Sequence, residues 1–568
     1  MSIPADYISD LLNELSQGRL ENLIAQTDAR RILQEVKEIP ENYPDFDPLL
    51  TEKATHIAYV LLSCGCSLME ESNSNFTVTE SLSILEKAGK LLSDIYKYNN
   101  NEFDSKDYNL LISGMALYAA KQYSRAFIVL NNVNLDFVVG QIVIQFIKKD
   151  FNSLLQNVSQ VFFEPPSELS DIQSLDEWVI SHEIARIFLM VVDFVQTGNQ
   201  SNFVSIDNIF DKLLSIATKS NLISYWLIVR LLKIILLTFQ EASFWTILPP
   251  LLPAQHITEN YIRLLSGFKP AITELWPSQT MAIPLAVGEN SGGVINLRTS
   301  GGKTRVAEIA ILNTLSKHIV SKTLYLAPFR SLAFEVEQSL SKTFAPLGIT
   351  VSQLYGGSTA NVTDFELIKQ SQVIVATPEK AKALIRCGSG LETELKLIVI
   401  DEGHLLGAEE RYIKNEIFLT HVNEFASRKM LLLSAVLPNA NELADWVAAD
   451  TSLVAKSEWK PGLERLGLLL WDGKRVRLEW ESEGKPFNPN FVQKAPLGFG
   501  RRRNMFPNNK KEAIAATAVR LAKTGTVMIY SARANSIEGL AESVLLALGE
   551  HPENFLWDCS LWNVFERT

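Results

Sequence analysis

The chain has 568 residues, of which 47% are hydrophobic and 21% are charged. This composition is typical of a globular protein with large buried cores, and it excludes a disordered chain. The formal net charge is −11, so any contact with nucleic acid must come from a local groove rather than from the overall field of the protein. The length predicts about three or four domain-sized units.

The cysteines are too few and too scattered for a disulfide framework or a four-ligand zinc site. They are Cys64, Cys66, Cys387 and Cys559. We interpret Cys64 and Cys66 as small core residues. The N-terminal stretch MSIPADYISDLLNEL lacks the basic and apolar regions of a secretory signal. We expect a reducing, cytoplasmic setting and no membrane partner.

Residues 1–265 show helical patterns, with loops such as EIPENYPDFDP and FFEPPSELS between them. The segment ALYAAKQYSRAFIVL has the spacing of paired-helix repeats, but no fixed period recurs elsewhere. An irregular helical array is therefore favoured over tetratricopeptide repeats. The apolar stretch that begins at Ser224 is interrupted by charged residues, so it predicts a buried helix rather than a membrane span.

The pattern changes near Phe268, where short apolar runs alternate with helical segments. The runs are GGVINL, KTLYLAP, TVSQLYGG, QVIVATP, LKLIVIDE and RKMLLLSA. Strands that alternate with helices predict a parallel sheet with helices on both faces. Ligands of such sheets bind at the carboxyl ends of the strands, where the polar residues of interest fall in this chain.

The segment NLRTSGGKTRVAEIAIL, residues 296–312, predicts a phosphate-binding loop between a strand and a helix. Its small residues suit a tight loop whose N–H groups point at an anion; they are Thr299, Ser300, Gly301 and Gly302. Lys303 would reach the β- and γ-phosphates, and Thr304 would offer its hydroxyl to Mg²⁺. Leu297 stands where the full pattern has its first glycine, so a glycine-rich turn with an exposed lysine is the alternative.

The segment LKLIVIDEGHLLG places Asp401 and Glu402 directly after a buried strand. Beside a phosphate loop, two adjacent carboxylates fit nucleotide hydrolysis. Asp401 would hold Mg²⁺, directly or through water, and Glu402 would orient or deprotonate the attacking water. Without the phosphate loop, an acidic helix N-cap would be the better interpretation.

After about Ala455 the pattern is less regular. The segment KPGLERLGLLLWDGKRVRLEW predicts strands joined by a turn at Asp472 and Gly473. A polar, proline-bearing linker follows. The helical pattern KKEAIAATAVRLAKTG and the strand pattern TVMIYSA then predict the start of a second α/β unit.

The motifs in this order resemble the first motor domain of a superfamily 2 helicase of the DExH-box branch, followed by the start of a second motor domain, from Trp276 to Ser531. The matching segments are LWPSQ for the Q-type motif, TSGGKT for motif I, APFRSLA for motif Ia, YGG for a glycine pair, TPEK for motif Ib, DEGH for motif II, LSAVLPNANELADWV for motif III and IYSAR for motif IV. The resemblance implies a RecA-like α/β motor with ATP and Mg²⁺ as cofactors. It also implies that Lys303, Asp401 and Glu402 are the catalytic residues.

The same resemblance assigns the remaining site residues. It makes Gln279 an adenine contact and His404 a link between the nucleotide site and motif III. The residues implied to grip the sugar-phosphate backbone of a nucleic acid are Pro328, Arg330, Gly356, Gly357, Thr377 and Pro378. Arg330 paired with a local carboxylate, and TPEK acting only as a helix cap, are the structural alternatives. The residues implied to couple hydrolysis to movement are Ser434, Ala435 and Val436, and Val436 stands where the family usually has a threonine.

The predicted domains follow from these motifs. They are a helical N-terminal domain over 1–265, a first motor domain over 266–455, a β-rich linker over 456–509 and the start of a second motor domain over 510–568. The family's motifs V and VI, which supply arginines to the nucleotide, have no match in this sequence. We therefore expect a truncated second motor domain, weak ATP binding and poor hydrolysis by this chain alone.

The resemblance implies an ATP-driven helicase or translocase that acts on single-stranded or partly duplex nucleic acid, with DNA slightly preferred to RNA. A regulatory scaffold that senses ATP and binds nucleic acid without unwinding it is the alternative. The long helical extension also resembles helicase subunits of bacterial anti-phage systems, Hachiman-type among them, which work beside a nuclease effector.

Overall fold

The structure is a computed structural model. It describes residues 5–16, 19–36, 47–70, 77–97, 105–131, 133–163, 172–318, 320–354, 359–405, 410–423, 428–462, 466–480, 490–497, 504–523 and 525–548. The chain divides into two compact units, one made of residues 1–77, 87–113 and 464–568 and the other of residues 78–86 and 114–463. The second unit joins helices from the first half of the chain to the α/β part. The domain boundaries inferred from the sequence stay predictions.

The first half of the chain is helical, as the sequence predicts. Its helices are α1 Ala5–Ser16, α2 Arg19–Val36, α3 Leu50–Glu70, α4 Val78–Tyr96, α5 Lys106–Ala119, α6 Tyr123–Leu130, α7 Val138–Ile147, α8 Phe151–Phe163, α9 Ile172–Thr197, α10 Ser201–Lys219, α11 Ile223–Ala242, α12 Phe244–Leu251 and α13 Gln255–Ser266. Cys64 and Cys66 are fully buried in α3, which confirms their interpretation as core residues.

Helix α11 is the one described helix that is long and apolar enough to cross a membrane, and 56% of its most apolar window is buried inside the structure. Arg230 of α11 is buried, and its guanidinium lies 4.6 Å from the centroid of the Trp226 ring. Lys233 pairs with Asp207 of α10 at 2.9 Å. These contacts are those of a helix packed within a protein, in line with the prediction of a buried helix.

The α/β part contains a seven-stranded sheet in the order β3-β4-β2-β5-β6-β1-β7. The strands are β1 Gly292–Leu297, β2 Lys322–Leu326, β3 Val351–Gln353, β4 Val373–Ala376, β5 Leu395–Ile400, β6 Lys429–Ser434 and β7 Val454–Ser457. Every pair in this sheet is parallel. The parallel sheet and its six predicted strands are confirmed. Strand β7 was not predicted, because it is a short edge strand that lacks a long apolar run.

Helices cover both faces of the sheet. They are α14 Pro277–Val287, α15 Lys303–Lys317, α16 Arg330–Phe344, α17 Val362–Gln370, α18 Pro378–Arg386, α19 Leu391–Glu394, α20 Glu410–Asn423 and α21 Ala440–Ala448. Val294, Leu324 and Ile398 form one buried core with residues of α17, α18, α20 and α21. Because side chains alternate along a strand, the buried neighbours Ile295, Tyr325 and Val399 face the opposite side.

The C-terminal part contains two small antiparallel sheets and two helices. Its elements are β8 Gly467–Trp471, β9 Arg475–Trp480, β10 Asn490–Gln493, β11 Ala495–Leu497, β12 Asn504–Phe506, α22 Lys510–Leu521 and α23 Ile537–Leu548. The predicted turn between β8 and β9 is present: Asp472 Oδ1 accepts hydrogen bonds from the N–H groups of Lys474 and Arg475, and Gly473 has φ 90°.

The strand predicted at residues 526–532 is absent, since no strand is assigned in residues 525–548. Met528 and Tyr530 are largely exposed there. A strand needs a neighbour that satisfies its N–H and C=O groups, and no described strand pairs with this segment. The prediction of a strand was therefore wrong here, whereas the helix predicted before it is α22.

A buried ion pair ties the helical part to the segment that leads into α14. Lys149 lies between α7 and α8, and its Nζ is 2.9 Å from Glu274 Oε1 and 2.7 Å from Tyr118 Oη. Tyr118 Oη also donates a hydrogen bond to Glu274. The Lys149 ammonium lies over the rings of Phe146 and Phe239 at 4.4 and 4.6 Å. Burial lowers the pKa of Lys149, and the carboxylate of Glu274 opposes that shift.

We predict that Lys149→Met strongly destabilises the unit made of residues 78–86 and 114–463. The substitution leaves Glu274 buried without its cation, which typically costs about 3–5 kcal/mol. Lys233→Met is the matched control, because Lys233 pairs with the largely exposed Asp207 and Asp211 and such pairs contribute about 1 kcal/mol or less. Urea unfolding followed by circular dichroism measures both. Equal losses of unfolding free energy in the two variants would contradict the prediction.

Candidate nucleotide and nucleic-acid site

The loop between β1 and α15 has the backbone that a phosphate site requires. Ser300 and Gly302 have φ values of 63° and 84°, and the N–H of Gly301 donates to the carbonyl of Arg298 at 2.9 Å. Lys303 is the first residue of α15 and Thr304 the second. The N–H groups of a helix's first turn have no partner within the helix, so they favour an anion. The predicted loop residues Thr299, Ser300, Gly301, Gly302, Lys303 and Thr304 therefore form one continuous strand-to-helix turn.

The start of α14 holds this loop in place. Ser278 Oγ donates to the carbonyl of Gly301 at 2.7 Å, and Gln279 Nε2 donates to the carbonyl of Gly302 at 3.4 Å. Gln279 Oε1 accepts from the N–H of Trp276 at 2.8 Å. Gln279 is buried and both ends of its amide bind backbone, so its role as an adenine contact stays a prediction. Ser278 was not predicted, because a serine in a helix's first turn has no distinctive pattern.

Asp401 follows β5 and lies in the same part of the site. Tyr325 Oη donates to Asp401 Oδ2 at 2.8 Å, and the N–H of Glu402 donates to Asp401 Oδ1 at 2.9 Å. Burial raises the pKa of Asp401, while the hydrogen bond from Tyr325 and the charge of Lys303 lower it. Lys303 is thus close enough to act on this carboxylate. Tyr325 was not predicted, because a tyrosine inside an apolar strand is usually only a core residue.

Polar contacts connect Glu402, through His404, to the end of β6. Its φ is 52°, a left-handed conformation that costs energy for a non-glycine residue and that often occurs at functional sites. Glu402 Oε2 is 3.1 Å from His404 Nδ1, which is also 3.1 Å from the hydroxyl of Ser434. His404 therefore lies between the nucleotide site and motif III. Ser434 is buried and Val436 is 63% exposed, with Ala435 between them.

The glycine of DEGH is not required by packing. A Cβ atom on Gly403 would lie 3.6 Å from the nearest atoms, those of Leu432 and Leu433, which is ordinary van der Waals contact. Gly403 is therefore a tolerated departure from the family pattern rather than a steric necessity.

The residues present fit a magnesium ion carried with the nucleotide phosphates. Asp401 offers a carboxylate and Thr304 a hydroxyl near the predicted phosphate position. The described residues contain no cluster of three or more His, Cys, Asp and Glu side chains that could hold a metal. Mg²⁺ usually keeps several waters and binds through one or two carboxylates and the substrate's phosphates, so this sparse set of ligands suits it.

Four of the six residues predicted to contact nucleic acid lie at the carboxyl ends of β2 and β4. The two strand ends are adjacent, since the N–H of Ala327 donates to the carbonyl of Ala376 at 3.0 Å. Arg330 is exposed at the first position of α16, whereas Pro328 is buried. Thr377 caps α18 and Pro378 is its first residue. Gly356 and Gly357 lie outside the described residues.

The lysine of TPEK has a structural role. Lys380 is almost fully buried and pairs with Asp364 of α17 at 2.7 Å. Its Nζ also donates to the carbonyl of Thr359 at 2.9 Å. The lysine therefore fixes the Thr377 loop against α17 and is not available to a ligand. Sequence alone did not indicate this, because a lysine in a helix's first turn is normally exposed.

A second buried polar cluster joins α13 to the helix of the phosphate loop. Arg305 NH1 donates hydrogen bonds to Glu308 and, at 3.2 Å, to Tyr261 Oη. Tyr261 Oη donates to Glu308 Oε2 at 3.1 Å. Burial raises the pKa of Glu308, although its partners oppose that shift. Arg305 is the second residue after Lys303, so the helical part directly contacts the element that begins at the phosphate loop.

Comparison with known proteins agrees with this geometry. Residues 276–443 match the family described as DEAD/DEAH box helicase. This part of the chain is therefore similar to DEAD/DEAH box helicase domains. The Hachiman protein HamB of Bacillus cereus is 35% identical over 537 residues, which cover 93% of this chain and 48% of that protein. The chain thus spans about half the length of this relative.

Two further proteins are similar to parts of this chain. The ATP-dependent DNA helicase Hel308 of Thermococcus kodakarensis is 38% identical over 219 residues, which cover 37% of this chain and 19% of that protein. The crystal structure of the DUF1998 helicase MrfA bound to DNA aligns with a TM-score of 0.32 and 20% identity, over 37% of this chain and 30% of that one. The fold assignment is carried by the strand order given above.

We predict that Gly302→Ala weakens nucleotide binding by this chain. The new Cβ would lie 2.0 Å from Gln279 Nε2, at a φ of 84°. The side chain of Gln279 and the loop must then shift, and we expect the affinity to fall about tenfold or more, since 1.4 kcal/mol is tenfold. Gly348→Ala is the control, because its φ is 76° and nothing lies within 4 Å of the added Cβ. Titration with a fluorescent ATP analogue distinguishes them, and similar affinities would refute the loop geometry.

We predict that Tyr325→Phe shifts Mg²⁺-dependent nucleotide binding toward higher pH. The lost hydrogen bond stabilises the ionised form of Asp401, so the pKa of Asp401 rises further above its ordinary value. A raised pKa keeps the carboxyl protonated to a higher pH, where it cannot serve Mg²⁺. Hydrogen bonds to charged groups contribute about 1.5–3 kcal/mol, so we expect roughly tenfold weaker binding on the acid side.

Binding of the ATP analogue with and without Mg²⁺, measured across the pH range, tests this prediction. Tyr225→Phe serves as the control, because Tyr225 lies on α11. An unchanged pH profile in Tyr325→Phe would show that Asp401 does not depend on Tyr325.

Proposed function

We propose that this chain is the motor part of an ATP-dependent helicase or translocase that moves on single-stranded nucleic acid. The observation that carries the proposal is that the loops at the carboxyl edge of the sheet fall into two groups, one with the predicted nucleotide contacts and one with the predicted nucleic-acid contacts. The phosphate loop and the DEGH motif follow β1 and β5, and the predicted backbone contacts follow β2 and β4. Because β2 pairs with both β4 and β5, a nucleotide and a strand would bind to neighbouring loops of one rigid sheet.

The residues would share the work of ATP hydrolysis. Backbone N–H groups of the loop and the ammonium of Lys303 would bind the phosphates. Thr304 and Asp401 would hold magnesium, which would neutralise the negative charge that develops on the phosphates. Glu402 orients the attacking water and accepts its proton. The ring of His404 lies between Glu402 and Ser434, so a change at the phosphates can reach the end of β6.

Coupling between ATP and the nucleic acid would use the loop after β6. Ser434, Ala435 and Val436 take the place of the family's motif III, and the exposed Val436 offers no hydroxyl. This departure favours a second candidate function, a scaffold that binds ATP and nucleic acid and signals to a partner without separating strands. Strand displacement measured beside ATP hydrolysis distinguishes the two, because a sensor hydrolyses ATP without displacing a strand.

The similarity to HamB supports a setting in anti-phage defence, whereas the similarity to Hel308 supports one in DNA metabolism. We propose DNA as the preferred substrate, a protein partner such as a nuclease effector, and a cytoplasmic location. The helical part would bind that partner or sense the substrate, because it contacts the phosphate-loop helix through Tyr261 and Arg305.

The central prediction is that ATP and single strands are coupled in this chain. With a non-hydrolysable ATP analogue bound, the affinity for a single-stranded oligonucleotide should change by at least about fivefold, the lower end of the usual range of coupling free energies. Lys303→Ala should remove the effect. Single-turnover hydrolysis should be slow in the wild type and abolished in Glu402→Gln.

The measurement compares single-stranded DNA, single-stranded RNA and no polymer. The control for loss of a lysine is Lys317→Ala. Lys317 lies at the far end of α15 and pairs with the exposed Glu289. If the analogue binds but no polymer alters its affinity, the motor proposal is wrong and a nucleotide-binding scaffold replaces it.

A further inference from the structure

Two partly exposed aromatic rings and an arginine lie at the start of α16. Phe329 and Phe334 are 49% and 45% exposed, and Arg330 is exposed between them. We call Phe329, Arg330 and Phe334 the aromatic edge. Single exposed apolar residues are common on protein surfaces, but neighbouring ones often mark a binding surface. These three residues lie at the carboxyl end of the sheet, where ligands of such folds bind.

The backbone holds the aromatic edge in a defined place. Phe329 has an extended conformation, with φ −132° and ψ 152°, and its carbonyl accepts a hydrogen bond from the N–H of Ala333 at 2.9 Å. The carbonyl of Arg330 accepts from Gln353 Nε2 at 3.3 Å. Arg330 and Phe334 are four residues apart on one helix, so their side chains lie on the same face. The backbone that carries these side chains is thus held in place, and about half of each ring is exposed.

The neighbours of the aromatic edge define what it can bind. It follows β2, and β4 with its Thr377 cap lies directly beside it. The hydroxyl of Thr377, the N-terminus of α18 and the guanidinium of Arg330 suit phosphate groups. Glu335 follows Phe334 but points about 100° away around the helix. An aromatic surface next to phosphate-binding groups is the chemistry that recognises unpaired nucleotides, because bases stack on rings and phosphates meet cations.

We propose that Phe329 and Phe334 stack against unpaired bases while Arg330 binds the adjoining phosphate. The inference rests on the proposed function, that this edge of the sheet binds a nucleic-acid strand. It adds that the bases, and not the backbone alone, contribute to binding. Because the bases of a duplex are already stacked on one another, the aromatic edge would select single strands over duplexes without reading their sequence.

The test compares two oligonucleotides of the same length. One carries all its bases, and the other lacks them at the central positions. We expect Phe329→Ala and Phe334→Ala each to weaken binding of the base-bearing oligonucleotide roughly fivefold or more. Neither should change the affinity for the abasic oligonucleotide. Arg330→Ala should weaken both, and should reduce the slope of log affinity against log salt by about one. Phe127→Ala, which removes a 45% exposed ring from α6, should change neither.

A second measurement uses oligonucleotides that carry 2-aminopurine, whose fluorescence is quenched when it stacks. The wild type and Phe329→Tyr should quench it, and Phe329→Ala should not. The inference would be overturned if the ring variants lost equal affinity for the base-bearing and the abasic oligonucleotide. It would also be overturned if a duplex bound as tightly as the single strand and its binding depended as strongly on the two rings. If the wild-type chain binds no single strand at all, the proposed function itself is wrong. If single strands bind and only the ring variants lack an effect, the stacking inference alone is wrong.

Discussion

The parallel pairing of β2 with β4 on one side and β5 on the other is the constraint on which both halves of the site depend. Strands that run parallel end at the same edge, so loops far apart in sequence become neighbours. The N–H of Asp401 donates to the carbonyl of Leu326, and that of Ala327 donates to the carbonyl of Ala376. The end of β2 therefore contacts the carboxylate pair and the TPEK loop within two residues. The end of β2 is thus a backbone element that contacts both loops.

The helical part is joined to this sheet by charged groups rather than by apolar packing alone. Lys149 and Glu274 anchor the segment before α14, and Arg305 and Glu308 anchor α15 to Tyr261. Buried ion pairs add little net stability, because desolvation offsets their attraction, but removing one partner is costly. Here the pair of Lys149 and Glu274 holds the segment before α14 against the helical part, and the hydrogen bonds of Arg305 and Glu308 to Tyr261 hold α15 against α13.

The sequence predicted most of the fold of the α/β part, because long apolar strands and glycine-rich turns have strong local signals. It placed Asp401 and Glu402 directly after a strand and Lys303 where a strand-to-helix loop ends, and the structure confirms these positions. The chemical roles of the three residues stay predictions. It missed β7, Tyr325, Ser278 and the burial of Lys380, all of which depend on contacts with distant residues. The strand predicted at residues 526–532 shows the converse. An apolar pattern is only the potential for a strand, and the strand forms where a neighbour pairs with it.

The distribution of polar and apolar groups at the sheet edge follows one physical rule. Charged groups that would serve structure, such as Lys380 with Asp364, are buried and fully paired, since an unpaired buried charge is too costly. Arg330 and the rings of Phe329 and Phe334 are exposed at the same edge. The exposed parts of the rings gain free energy when a ligand covers them, whereas Arg330 gains free energy when an anion pairs with it. An edge that satisfies its lysine internally while it exposes aromatic rings is suited to a ligand with both stacking and charged parts, and a nucleic-acid strand is such a ligand.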